Sequence, residues 1–168
     1  MPVTRFADEI RITNALATLL AEAQYLEIHQ RRYHIDHRGK IDIYIMHPLG
    51  IRIAIECDHD FKKAEEEAKR RLEHAIVDLA IALRYDRSEF PDIPSELQLK
   101  EMAKKAKYWT KVFIPGADIT DNIASKLGKT VSLTEKWLEV SIFTLIEIID
   151  HSVNYVLREE DIKPLDFT

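Results

Sequence analysis

The chain has 168 residues, 46% hydrophobic and 32% charged, a length and composition that suit one compact domain and exclude a disordered tail. A net charge of -5 gives no general attraction to nucleic acid, so any such contact needs local basic patches. The single cysteine, Cys57, excludes an internal disulfide and a Cys-based zinc site. No basic-then-apolar leader opens the sequence, and the apolar stretch Trp137 to Val156 is broken by Glu139, Glu147, Asp150 and His151. The expectation is a cytoplasmic protein with no membrane span.

Taken in chain order, Thr4 to Gln24 predicts an amphipathic helix, with Phe6, Ile10, Leu16, Leu19, Leu20 and Ala23 in one arc and Glu9 within it. Tyr25 to Asp36 predicts a strand. Ile41 to Met46 alternates, placing Ile41, Ile43 and Ile45 on one face and Asp42, Tyr44 and Met46 on the other. His47-Pro48-Leu49-Gly50 is a turn signal, and Ile51 to Asp58 alternates again, with Arg52, Ala54, Glu56 and Asp58 on one face. These three segments read as an antiparallel meander.

A helix follows from Phe61 to His74, with Phe61, Ala64, Ala68, Leu72 and Ala75 as its apolar stripe. Val77 to Tyr85 is nearly continuously apolar, as a strand buried on both faces would be. Ser95 to Trp109 predicts a helix and Lys111 to Ile114 a last strand. The fold class is therefore α/β, a mixed sheet flanked by helices in the order αβββαβαβ over residues 1–116, followed by a C-terminal helical extension over 117–168. In the extension, Ser132 and Glu135 have capping-box spacing before a long helix that includes Trp137, Leu138, Phe143 and Ile149. Its apolar circumference predicts an exposed patch and hence a homodimer.

If the turn is Pro48-Leu49-Gly50, partners across the hairpin have position numbers with a constant sum, and Asp42 falls opposite Glu56 on one face. Their Cβ atoms then lie roughly 4.5–5.5 Å apart, where like charges repel unless a cation sits between them. Mg²⁺ suits such a site, since it binds through one or two carboxylates plus waters and phosphate. Asp58 points to the same side and faces Lys40. The bland alternative is a pair of ordinary acidic side chains on an open sheet face.

The stretch Gly39-Lys40-Ile41-Asp42-Ile43 followed by Ile53-Ala54-Ile55-Glu56-Cys57-Asp58 resembles the two motif strands of the PD-(D/E)xK, restriction-endonuclease-like nucleases. The likeness covers roughly residues 5 to 115. It implies a metal-dependent nuclease core in which Asp42 and Glu56 hold Mg²⁺ or Mn²⁺, Asp58 and the Cys57 carbonyl complete the shell, and Glu9 corresponds to the family's frequent extra acid. Asp58 occupies the slot of the family's lysine, so Lys40, Lys62 or Lys63 is left to supply positive charge at the reacting phosphate. The implied partner is nucleic acid, with DNA the expected class. The alternative is a catalytically inactive nucleic-acid-binding or assembly module of the same fold.

Lys62, Lys63, Lys69, Arg70 and Arg71 are candidates to track a phosphate backbone, against a solvated helix face paired with Glu65, Glu66 and Glu67. His37 and His59 flank the carboxylate strands as candidate bases, and no histidine pair has zinc-site helical spacing. Finally, Asp121 to Gly128 followed by Ser132 to Leu138 resembles a helix-turn-helix DNA reader, although its second helix would offer a groove little polar surface.

Overall fold

The structure is a computed structural model that describes residues 5–22, 27–29, 41–74, 77–131 and 136–162. Helix α1 (Glu9–Glu22) is followed by β1 (Glu27–His29), β2 (Ile43–Met46), β3 (Arg52–Asp58), α2 (Phe61–Glu73) and β4 (Leu79–Tyr85). Then come a 3₁₀ turn at Arg87–Glu89, α3 (Glu96–Lys105), β5 (Tyr108–Ile114), β6 (Ala117–Asp118), α4 (Thr120–Lys126), β7 (Leu138–Val140) and α5 (Ile142–Ile162). The expected element order therefore holds through β5.

The strands form one mixed sheet in the order β1-β2-β3-β4-β5, with β6 and β7 both paired to β5. β3 and β4 are parallel and the other pairings are antiparallel. α2 provides the crossover between the two parallel strands and covers one face, where Ala64 and Ala68 meet Tyr44, Ala54, Ala80 and Ala82. Small residues on both sides let the helix lie close to the sheet. The other face carries Ile43, Ile45, Ile53, Ile55, Cys57, Leu79, Ile81 and Leu83, which pack against α1, α3, α4 and α5 in one larger core. β4 is buried along nearly its whole length, as a central strand covered on both faces must be.

Several boundaries differ from the sequence-based expectation, each for a local reason. Residues 5–7 do not extend α1. Phe6 forms a bridge with Pro91, and Ala7 N donates to Phe90 O at 2.8 Å, so the chain enters extended and the helix starts at Glu9. Ile10, expected on the apolar arc, is 58% exposed. α3 ends at Lys105, and β5 starts at Tyr108 because Tyr108, Thr110 and Val112 alternate into the sheet.

The largest correction is C-terminal. Leu138, Glu139 and Val140 form a strand on the edge of β5, Leu138 and Val140 buried and Glu139 exposed. The long helix begins only at Ile142, where Ser141 Oγ accepts from Thr144 N at 3.2 Å as an N-cap. The expected capping box at Ser132 and Glu135 lies outside the described residues. Of the helix-turn-helix resemblance, α4 supplies the first helix; residues 132–135 of the second lie outside the described residues, Lys136 and Trp137 are not helical, and its last residue, Leu138, is strand.

The apolar patch also dissolves. Trp137, Leu138 and Ile149 are 6%, 2% and 0% exposed, and of these four residues only Phe143, at 62%, faces solvent. The premise of a dimer through this helix is thereby removed. Among the described residues no helix is long and apolar enough to cross a membrane.

Candidate metal centre

The site is set by the β2–β3 hairpin. Gly50 adopts φ +88°, a backbone conformation that an L side chain rarely takes, and this closes the turn with Gly50 N donating to His47 O at 2.8 Å. His47 N donates to Ile51 O at 2.9 Å, and the ladder continues as Met46 with Arg52, Ile45 with Ile53, Tyr44 with Ala54 and Ile43 with Ile55. The next pair in this register is Asp42 with Glu56, as the turn position predicts.

At that pair the strand stops being regular. His47 and Ile51 form a hydrogen-bonded pair, so in a continued ladder the Cys57 N–H would meet the carbonyl of Ile41. Instead Asp42 Oδ2 accepts from Cys57 N at 2.8 Å, and Asp42 N donates to Glu56 Oε2 at 3.2 Å. The chain bends at Asp42, and Ile41 turns to the α2 side of the sheet to join Tyr44 and Ala54. Ile41 was expected on the face of Ile43 and Ile45; the bend is why it is not.

Glu56 is fully buried beneath α2. Its Oε1 accepts a short hydrogen bond from Nε of Arg71, itself only 2% exposed, so the two form an ion pair closed to water. Glu67, one turn before Arg71 on the same helix, brings a third carboxylate. Oxygens of Asp42, Glu56 and Glu67 all lie within 4.8 Å of one another. Two oxygens on one octahedral Mg²⁺ are about 3.0–4.2 Å apart, given bonds of about 2.1 Å. The set is thus within a small side-chain rotation of holding an ion. Arg71 engages Oε1 of Glu56, while Oε2 stays on the Asp42 side.

The electrostatics fit the same description. Burial, then the Asp42 charge, pushes the Glu56 carboxyl well above its ordinary range despite the Arg71 guanidinium. Burial also raises Asp42, partly offset by the hydrogen bond from Cys57 N. Glu67 is raised by burial, then by Asp42. Without a divalent cation the cluster therefore favours retaining protons, as crowded carboxylates do.

Other expected site residues fall as follows. Asp58 lies on the same face, is 9% exposed, and accepts from Asp60 N at 2.9 Å. Glu9 opens α1 near the cluster. Although much of its side chain reaches solvent, partial desolvation and the Asp42, Asp58 and Glu67 charges push its carboxyl up to about 7. Glu9 is not one of the three converging carboxylates. Lys40 and His37 lie outside the described residues. His59 sits edge-on to Tyr85, with ring centroids 6.5 Å apart.

The five basic residues of α2 do not form one track, and Arg71, expected there, is buried against Glu56. Lys62 is exposed and lies 3.9 Å from Glu66, while Lys69 pairs with Glu65 at 3.1 Å and stands over the Phe113 ring on the side of the helix facing β5. Lys63 and Arg70 fall on the opposite flank, beside Glu67, by helical period. Only that flank borders the acidic cluster.

Sequence reading assigned Glu67 and Arg71 to the solvated or phosphate-facing side of α2 and missed their place in the buried cluster. The signal was present in the helical period: Arg71 follows Ala64 by a heptad and projects within roughly 20° of it, inside the apolar stripe. A charged residue there has to meet a buried opposite charge. Glu67 was read as one member of a solvated charged face.

Compared with protein-family models, with characterised proteins and with solved structures, the chain matches none.

Proposed function

We propose that the chain is a metal-dependent phosphodiesterase acting on nucleic acid, DNA above all, with a restriction-endonuclease-like core and Mg²⁺ or Mn²⁺ as its ion. The observation that carries this reading is the convergence of Asp42, Glu56 and Glu67 within 4.8 Å, from the bend before β2, from β3 and from α2. The order α1, three strands, α2, β4, α3, β5 and the hairpin register that pairs Asp42 with Glu56 support the PD-(D/E)xK likeness.

When bound, the ion polarises a phosphoryl oxygen and lowers the pKa of an attacking water. This chain's residues prepare for it. Cys57 N holds the Asp42 carboxylate by one oxygen, and Arg71 holds Glu56 by one oxygen, so both are oriented before any ligand arrives. The raised carboxyls release protons as a divalent cation takes their place. Lys63 and Arg70, on the Glu67 flank, are positioned to meet backbone phosphates.

One observation favours a second reading. Arg71 already serves Glu56 as counterion, and Asp58 adds no positive charge. On that reading the fold is a catalytically inactive nucleic-acid-binding or assembly module. Calorimetry with Mn²⁺ separates the two. Binding by the wild type that disappears in Glu56→Ala supports the enzyme; no binding near millimolar metal supports the module.

A further inference from the structure

Arg84 on β4 is a ladder neighbour of Asp58 on β3 and of Trp109 on β5, so Asp58, Arg84 and Trp109 form a row across the sheet on the α2 side. Neighbours in such a row lie about 4.8 Å apart in the backbone. Opposite charges at adjacent ladder positions ordinarily pair, yet Arg84 has no carboxylate within pairing distance among the described residues. Asp58 instead accepts from Asp60 N. The Arg84 guanidinium lies 4.5 Å from the centre of the Phe61 ring and 4.9 Å from that of Trp109, and Nε donates to His59 O at 2.9 Å. Phe61 and Trp109 in turn meet edge-on at 6.0 Å.

Three contacts therefore fix the guanidinium plane, while Nη1 and Nη2 have no acceptor among the described residues. The side chain is half-buried, so these groups are not wholly free in water. Three other cations on this side are engaged: Arg71 with Glu56, and both Lys69 and Lys111 with Glu65. A planar fork held in place by aromatic faces loses little conformational freedom on binding and matches two phosphate oxygens.

We propose that Arg84 is a phosphate-binding residue, its Nη groups holding a backbone phosphodiester of a nucleic-acid strand beside the Asp42–Glu56–Glu67 cluster. This rests on reading that cluster as a hydrolytic centre. The anisotropy of a labelled short DNA, single-stranded and duplex, titrated with the protein in Ca²⁺ at several salt concentrations, tests it. Arg84→Met weakens binding of the preferred form roughly tenfold, and the slope of log K against log salt falls by about 0.7–0.9. Arg84→Lys keeps the slope but still loses affinity, because the fork is gone. If Arg84→Met does not fold, Arg84→Lys and Phe61→Leu decide, since the first removes the fork and the second its support. Wild-type affinity in the variants that fold, or no DNA binding by the wild type, overturns the proposal. Mn²⁺ calorimetry on the wild type is read separately: a failure there ends the hydrolytic reading, while the role of Arg84 is decided by the anisotropy.

Discussion

Arg71 and Glu56 form an ion pair closed to solvent, at 2% and 0% side-chain exposure, at the point where α2 crosses the end of β3. The pair gives the acidic cluster an internal counterion and ties the crossover helix to the sheet. Removing only the cation leaves the buried Glu56 carboxyl without its partner beside Asp42. Arg71→Met is therefore expected to destabilise the fold by about 3–5 kcal/mol. Combining it with Glu56→Gln should recover part of that loss, because no unpartnered buried carboxyl is left. Urea denaturation of the two single variants and the double variant measures the coupling; strictly additive losses would mean that the pair does not act as a unit.

The pair also makes a prediction about metal. If Asp42, Glu56 and Glu67 share a cation, Asp42→Asn and Glu56→Gln should each abolish Mn²⁺-dependent cleavage of DNA with the fold intact by circular dichroism. Glu67→Gln should weaken Mn²⁺ binding, seen by calorimetry, because it removes one carboxylate of the set. Cleavage by Asp42→Asn at the wild-type rate ends the mechanism.

Stability should depend on pH with a sign set by the raised carboxyls. Glu9 titrates near 7 in the folded chain against an ordinary value of 4.5, and Asp42, Glu56 and Glu67 are raised in the same direction. The folded state then binds more protons than the unfolded state above the ordinary carboxylate range, so its stability is greatest below it and falls as pH rises through 7. The carboxyls held low, Asp78 by Arg52 among them, act oppositely and only in more acid solution. Melting temperatures in EDTA should therefore drop between about pH 5 and pH 8. Mg²⁺ should flatten the drop, and Glu9→Gln should reduce it. A melting temperature that rises across this window in EDTA contradicts the assignment.

The parts of the fold visible in the sequence were those where one periodicity acted alone. The β2–β3 register follows from strict alternation on both sides of a turn holding Gly50, and that alone sets Asp42 opposite Glu56. β4 was visible because continuous apolar residues of strand length leave few other options. The start of α5 was hidden because Leu138-Glu139-Val140 is too short an alternation to stand out from the apolar run that follows it. Arg71 and Glu67 were hidden in the charge of α2. Their partners are distant in sequence, and a helix so rich in Glu, Lys and Arg gives no local sign of which charges turn inward.

The turn that sets the register can be tested by itself. Gly50 has φ +88°, and a Cβ added there would meet nothing within 4 Å, so the obstacle to a side chain is backbone strain and not space. Gly50→Ala should cost about 1–2 kcal/mol, the penalty of a left-handed conformation for an L residue. Gly50→Asn should cost less, since asparagine tolerates that region better. Because a slip of one residue would turn Glu56 away from α2 and Arg71, the hairpin has to keep its register or the site is lost. The expected result is loss of stability in urea with Mn²⁺ affinity unchanged in the fraction that remains folded. Reduced affinity in fully folded Gly50→Ala would show that the turn shapes the carboxylate geometry directly, beyond fixing which residues face each other.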